Sequence, residues 1–418
     1  IFSQDHDWRS IISALHAGDE ELNDFRHIGV VKYLQYLSSI QEILQELYSE
    51  KKREILASSL SYANNDKALK VRAKTTEMER LSKGENVTIH VNKGEQIDVL
   101  LSNHKCVFIK YLCGNTSTGK KISYFDKSLE TNKLPKIVKF NKSFLKNVDL
   151  IFTALPNGKA QELSKHLLKK NVLIDLAADF RLQKAQSYLK WYKQKHRANS
   201  KIKDSIYALP ELSENKINKF NIISCPGCYP TSILLPLIPL IKKNLINIKN
   251  IIIDSKSGYS GAGRGVHEKY AKKNLHESLS AYGVGFHRHN SEIEQEINKV
   301  TNKKFNFTFT PHLTPMFRGI LSTIYVDSNR NISIYKIYKC LKQNYKNKPF
   351  VKVLKNNTLI GTNDVINTNY CYISICETKH KNKYIILSAI DNLIKGGAGQ
   401  AIQNMNIKYG FAESRGLK

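Results

Sequence analysis

The stretch Val148-Asp149-Leu150-Ile151-Phe152-Thr153-Ala154-Leu155-Pro156-Asn157-Gly158 decides the fold. Val148 to Ala154 is an almost uninterrupted apolar run of strand length, and Leu155-Pro156-Asn157-Gly158 ends it at a turn. A helical pattern follows from Ala160 to Lys169, then a second apolar run, Val172-Leu173-Ile174-Asp175-Leu176. Strand-helix-strand units of this length imply a doubly wound parallel sheet with ligands at the carboxyl ends of its strands. Toward the N-terminus the same grammar gives a strand at Val107–Leu112, a helix over Gln96–Asn103 and a first strand at Val87–Val91.

Upstream of about residue 86 the pattern differs. Val30, Leu34, Leu37, Leu44 and Leu47 recur at helical spacing, so residues 1–85 read as a helical N-terminal segment, an appendage or an oligomerisation element without chemistry of its own. Beyond Cys228, apolar and alternating runs at Ile251–Asp254, Phe305–Phe309, Leu321–Val326 and Tyr370–Ser374 suggest an antiparallel sheet with one open face. A final helix is expected from near Gly397 to Tyr409. The expected class is therefore α/β: a Rossmann-type domain over 86–228, completed by 392–418, plus an α+β catalytic and oligomerisation domain over 229–391.

A chain of 418 residues with 41% hydrophobic and 9% aromatic residues buries real cores, which excludes wholesale disorder. The net charge of +29 suggests a polyanion, but 53 of the 65 cations are Lys, scattered among Ile and Asn, whereas Arg is preferred for bidentate phosphate and base contacts. No nucleic-acid partner is expected. Seven Cys at irregular positions do not form a disulfide framework and suit a reducing cytoplasm. The N-terminus lacks a signal-peptide pattern, and the longest apolar stretch, Ile233–Ile241, contains Pro236 and Pro239 and falls well short of the roughly 20 residues that span a bilayer. No membrane partner is expected either.

The sharpest local feature is Ser224-Cys225-Pro226-Gly227-Cys228-Tyr229-Pro230-Thr231, between a short strand (Ile222, Ile223) and an apolar helix. A Cys entering a helix faces unpaired amides and the positive end of the dipole, so Cys228 is expected to have a lowered pKa and to act as a nucleophile. The same C-x-x-C spacing allows a redox dithiol or a structural pair; a zinc site lacks its second pair. His287-Arg288-His289 opens another helix and offers an acid/base beside an anion clamp, or merely a solvated turn. Their i, i+2 spacing disfavours a metal, and none is expected. Ser255-Lys256-Ser257-Gly258-Tyr259-Ser260-Gly261-Ala262-Gly263-Arg264-Gly265 reads as a glycine-rich loop; Pro311 to Ile320 carries Arg318 just before a strand; and Asp391 to Asn404 is a glycine loop entering the last helix.

Together with Leu155–Gly158, Ile174–Leu182 and Tyr207–Leu212, these segments resemble the N-acetyl-gamma-glutamyl-phosphate reductase family over about residues 98–412. The resemblance implies an NADP(H)-dependent, homo-oligomeric enzyme of arginine biosynthesis acting on N-acetyl-gamma-glutamyl phosphate. It puts the nucleophile on Cys228 and the acid/base on His287. It implies substrate contacts from Arg288, His289, Tyr282, Arg318 and Ser257. Asn115, Ser117, Pro156, Asn157, Gly158, Gly258, Asn392 and Gly399 would lie around the cofactor. The family opens on a G-x-x-G-Y-x-G turn; here Asn92-Lys93-Gly94-Glu95-Gln96 keeps only Gly94, and Glu95 would repel a pyrophosphate. Cys225 stands where Asn is usual, which raises a disulfide to Cys228 as a hypothesis. Two further readings remain: a relative without turnover, and a related reductase of the aminoadipate or aspartate-semialdehyde type.

Overall fold

The structure, a computed structural model, describes residues 85–90, 95–102, 104–126, 129, 134–262, 278–303, 305–329 and 332–417. The helical segment expected over 1–85 lies outside them except for its last residue, as do the turn at 91–94 and Gly263-Arg264-Gly265.

The first half runs β1 (Glu85–His90), α1 (Glu95–Ser102), β2 (Val107–Cys113), β3 (Ile137–Val138), β4 (Leu150–Thr153), α2 (Lys159–Ser164), β5 (Val172–Asp175), α3 (Ala185–Tyr192), β6 (Ser205–Tyr207), α4 (Pro210–Ile217), β7 (Ile222–Ser224) and α5 (Cys228–Lys242). Its seven strands are ordered β3-β2-β1-β4-β5-β7-β6, all pairing parallel. Every residue of β4 and β5 is buried, as their unbroken apolar runs require. Helix α2 stops five residues before the expected Lys169. Side chains capture the backbone there: Ser164 Oγ donates to Gln161 O at 2.7 Å, and Leu168 N–H donates to Asn171 Oδ1 at 2.8 Å.

The second half runs β8 (Ile251–Gly258), β9 (Ser280–Ala281), α6 (Asn290–Asn298), β10 (Phe307–Thr314), β11 (Ile320–Asp327), α7 (Ile334–Asn344), β12 (Val351–Val353), β13 (Cys371–Glu377), β14 (Lys383–Ile390) and α8 (Gly399–Tyr409). Its order is β12-β13-β14-β11-β8-β10-β9. The sheet is mixed rather than antiparallel, because β8 pairs parallel with β10 and β12 parallel with β13. The reason is connection length: α6 lies between β8 and β10, and a crossover through a helix returns the chain in the same direction. Alternation along a strand reports which face is buried, not the direction of its neighbour. Ser255–Gly258, read as the start of a glycine loop, instead extends β8.

Two large cores result. One joins α5 to the mixed sheet through Ile233, Leu237, Ile253, Phe309 and Ile324, and the other lies in the parallel-sheet half around Ile97, Leu112, Phe152 and Ile223. Helix α8 joins the second core through Ala401, Ile402 and Met405 and packs on α1 and α4. Helix α5, apolar on all sides and buried from Tyr229 to Ile241, tolerates Pro236 and Pro239 in its interior.

Candidate active site

Strand β7 ends at Ser224, the chain turns through Cys225-Pro226-Gly227, and Cys228 is the first residue of α5. A buried ion pair fixes that turn. Arg181 Nε donates to Cys225 O at 2.8 Å, a second guanidinium nitrogen donates to Leu176 O at 2.9 Å, and the third pairs with Glu292 Oε1 at 3.0 Å. Glu292, in the first turn of α6, accepts on Oε2 from Gly227 N–H and from the Tyr207 hydroxyl, each at 2.9 Å. Fully buried charges are tolerable only when partnered in this way.

Two glycines bring the surroundings close to Cys228. A Cβ on Gly227 would lie 2.7 Å from His289 Cε1, so the imidazole rests directly on the backbone that precedes the thiol. A Cβ on Gly396, in the π-helical turn Ile394–Ala398, would lie 2.6 Å from Cys228 Cβ. His289 Nε2 is 3.8 Å from Glu292 Oε1, and its buried Nδ1 has no hydrogen-bond partner among the described residues. His287 is differently engaged. Its Nδ1 accepts the His289 N–H at 3.2 Å, and its ring meets Tyr229, Tyr282 and Phe309 edge-on at 5.6, 5.4 and 5.6 Å. The Tyr282 hydroxyl donates to that of Tyr229 at 3.0 Å.

Burial pushes the Cys228 thiol up to about 11, opposite to the lowered value expected from its place at a helix start. The anticipated influences exist: the Arg181 charge and the N–H groups of Tyr229 and Cys228 favour the thiolate, but loss of water outweighs them and Glu292 adds repulsion. Burial, then the Arg288 charge, holds His287 down near 4; burial holds His289 well below the usual imidazole range. The resting site therefore pairs a neutral thiol with neutral imidazoles.

The structure gathers Tyr282, His287 and His289 around Tyr229, while Arg288 is exposed with its guanidinium 5.7 Å from the Tyr192 ring centre. Ser257, Gly258, Arg318 and Asn392 form an adjoining group. Asn392 Oδ1 accepts from Gly319 N–H at 2.7 Å while its Nδ2 donates to Ser260 Oγ at 3.0 Å. Ser257 Oγ donates to Gly258 O at 2.9 Å, and a Cβ on Gly258 would lie 2.6 Å from Phe317 O. Arg318 bonds Asn367 and, at 3.2 Å, Asp391. Gly399 is buried, and a Cβ there would lie 2.6 Å from Ile394 Cγ2. Asn115 and Pro156 line one cleft of about 570 Å³ beyond the carboxyl ends of β2 and β4, with Gly114, Lys139, Phe140, Lys142 and Lys159. Ser117, Asn157 and Gly158 are not among its lining residues; Ser117 is buried, and the Gly158 N–H, at φ +88°, is taken by Asp179 Oδ1 at 2.7 Å.

The Cys225–Cys228 disulfide hypothesised for oxidising conditions is not formed in the structure. Both thiols are free; Cys225 is buried in the parallel-sheet core 3.8 Å from Asn404 Nδ2, and Cys228 packs against the other core. Arg181, Glu292 and Gly396 were not singled out from the sequence. Their available signals were slight: Arg181 sits within a matched segment, and Glu292 follows His289 by three residues in a helix.

A sequence profile described as "Semialdehyde dehydrogenase, NAD binding domain" matches residues 92–220, and another, "Semialdehyde dehydrogenase, dimerisation domain", matches 228–392. The probable chloroplastic N-acetyl-gamma-glutamyl-phosphate reductase of Arabidopsis thaliana is 41% identical over 324 residues, covering 78% of this chain and 81% of that one. The N-acetyl-gamma-glutamyl-phosphate reductase of Thermoanaerobacter pseudethanolicus is 42% identical over 327 residues, covering 78% and 94%. This chain belongs to the N-acetyl-gamma-glutamyl-phosphate reductase family. Among solved structures, aspartate semialdehyde dehydrogenase II of Vibrio cholerae, complexed with ASA, matches with a TM-score of 0.58 at 17% identity, covering 78% of this chain and 98% of that one. The Candida albicans enzyme with NADP matches at 0.56 and 17%, with the same coverage. At that identity the likeness shows the fold alone, a parallel sheet and a mixed sheet in the one reductase family member. Among the described residues no helix is long and apolar enough to cross a membrane.

Proposed function

We propose that the protein reduces N-acetyl-gamma-glutamyl phosphate to N-acetylglutamate semialdehyde with release of phosphate, through a thioester on Cys228. The observation that carries this reading is Cys228 at the first turn of α5 with the His289 imidazole seated on the preceding glycine. The sequence-based choice of His287 as acid/base gives way in this proposal to His289, since His287 Nδ1 is already used and its ring is packed among aromatics.

The Cys228 sulfur attacks the acyl carbon while its proton passes to neutral His289, and the carbon–oxygen bond to phosphate breaks with its electron pair on the leaving phosphate. Glu292, 3.8 Å from His289 Nε2, stabilises the imidazolium so formed. The α5 N-terminus offers amides to the oxyanion that develops on the acyl oxygen. NADPH, when bound, supplies the hydride that takes the thioester to the aldehyde level. The oxyanion that the hydride leaves on the thiohemiacetal re-forms the carbonyl, the carbon–sulfur bond breaks, and His289 returns its proton to the departing sulfur, so that the semialdehyde leaves and the neutral thiol is restored. Exposed Arg288 suits a phosphate or carboxylate of the substrate. The lysine-lined cleft beyond β2 and β4 suits a phosphorylated dinucleotide, with Asn115 and Pro156 at its wall.

The match of 228–392 to a dimerisation domain supports a homo-oligomer, which sedimentation would measure. Seven free thiols support a reducing compartment such as the cytoplasm, although the plant relatives' names carry the word chloroplastic. The reading is tested by phosphate-dependent reduction of NADP with N-acetylglutamate semialdehyde, on the protein and on Cys228→Ser. The protein is expected to turn over and the variant to lose at least about a thousandfold in kcat. Absence of turnover with intact cofactor binding would leave a binding relative. A Ser variant at full rate would remove Cys228 as nucleophile.

A further inference from the structure

We infer that Lys139 and Lys142 are the residues that select a 2′-phosphorylated adenosine cofactor. This inference rests on the reductase reading for the identity of the ligand, and on the cleft for its placement. In a sheet of this order the adenosine ribose meets the chain just past the second strand, where a carboxylate about 20 residues beyond the glycine turn hydrogen-bonds the free 2′-hydroxyl of NAD. Here β2 ends at Cys113 and Gly114-Asn115-Thr116-Ser117 follows, without an acid. None of these four residues carries a negative charge that would repel a phosphate.

The opposite wall provides the attraction. Lys139 and Lys142 flank Phe140 on the connection that follows β3, and all three line the cleft with Gly114 and Asn115. Both lysines are exposed, and among the described residues neither forms an ion pair. The lining contains a single carboxylate, Glu162, and it is already held by Lys159 at 3.2 Å and by Arg197. A ligand entering here meets an excess of unpaired positive charge beside an aromatic face. That combination fits an adenine carrying a phosphate on its ribose.

The test measures binding, not turnover. Calorimetric titration of the full chain with 2′,5′-ADP and with 5′-AMP compares two probes that differ by the 2′-phosphate. The wild type is expected to prefer 2′,5′-ADP by tenfold or more, the preference falling as salt rises. Lys139→Ala/Lys142→Ala should lose about tenfold for 2′,5′-ADP and leave 5′-AMP unchanged, while Lys303→Ala, a lysine in the loop between α6 and β10, should alter neither. Equal wild-type affinity for the two probes, no wild-type binding of 2′,5′-ADP, or a double variant that keeps the preference would each overturn the assignment. If the lysines behave as expected and no semialdehyde is oxidised, the reductase reading falls and the assignment stands. If NADP is reduced and the double variant still discriminates, the reverse holds.

Discussion

The Cys228 turn and the lysine-lined cleft lie at the carboxyl edge of one parallel sheet, and they use charge in opposite ways. Beneath the turn, Arg181 and Glu292 are buried and answer each other and the backbone, so their charge is spent on holding geometry. In the cleft, Lys139 and Lys142 are exposed and, among the described residues, form no ion pair. A buried pair is costly to break and contributes position; an exposed lysine contributes little to stability and is available to a ligand. The same contrast separates the two histidines: His289 rests on the cysteine turn, while His287 belongs to the aromatic packing around Tyr229.

Breaking the buried pair should give the largest effect. Glu292→Ala strands Arg181 and frees the Gly227 amide, and is expected to cost about 3–5 kcal/mol of stability by denaturant unfolding. Glu292→Gln keeps uncharged acceptor capacity and should cost less, so equal losses would refute the role given to the charge. Gly396→Ala introduces a methyl 2.6 Å from Cys228 Cβ and should cost about 1–3 kcal/mol while lowering kcat more than it raises KM. His289→Ala should slow Cys228 acylation by about 10²–10⁴-fold and His287→Ala by much less; the reverse order in single-turnover kinetics would return the acid/base role to His287.

Two pH measurements sharpen the contrast. With Cys228 near 11, its alkylation by iodoacetamide should still climb about tenfold per pH unit through about pH 9, and a plateau near neutrality would show that the helix amides prevail over burial. His287 is held near 4 in the folded chain, against an ordinary value of 6.5. The unfolded chain therefore binds the extra proton between those values, and this residue's contribution to stability is lost as pH falls from about 6.5 to 4. His287→Gln should flatten that part of the stability curve. The smallest effect belongs to Lys139→Ala and Lys142→Ala, whose melting temperatures should match the wild type because each shifts stability by less than about 0.5 kcal/mol.

Much of the parallel half was legible because the information is local. Apolar runs such as Leu150–Thr153 and Val172–Asp175 declare strands buried on both faces, and a turn followed by an apolar helix fixes Cys228 at its start. The mixed sheet was legible strand by strand but not in direction, since β8 and β10 alternate alike whether they run parallel or antiparallel. The Arg181–Glu292 pair was invisible for a related reason. The two residues are 111 positions apart, and nothing near either one announces the other.

The order of residues along the chain determined the strands, the helix starts and the presence of a thiol at one of them, because hydrophobic period and turn chemistry act over a few residues. Folding in three dimensions decided which imidazole lies beside that thiol, that the thiol is held protonated, and which lysines share a cleft. Each of those depends on how much water is excluded and on what stands opposite, and both are properties of packed elements rather than of neighbours in sequence.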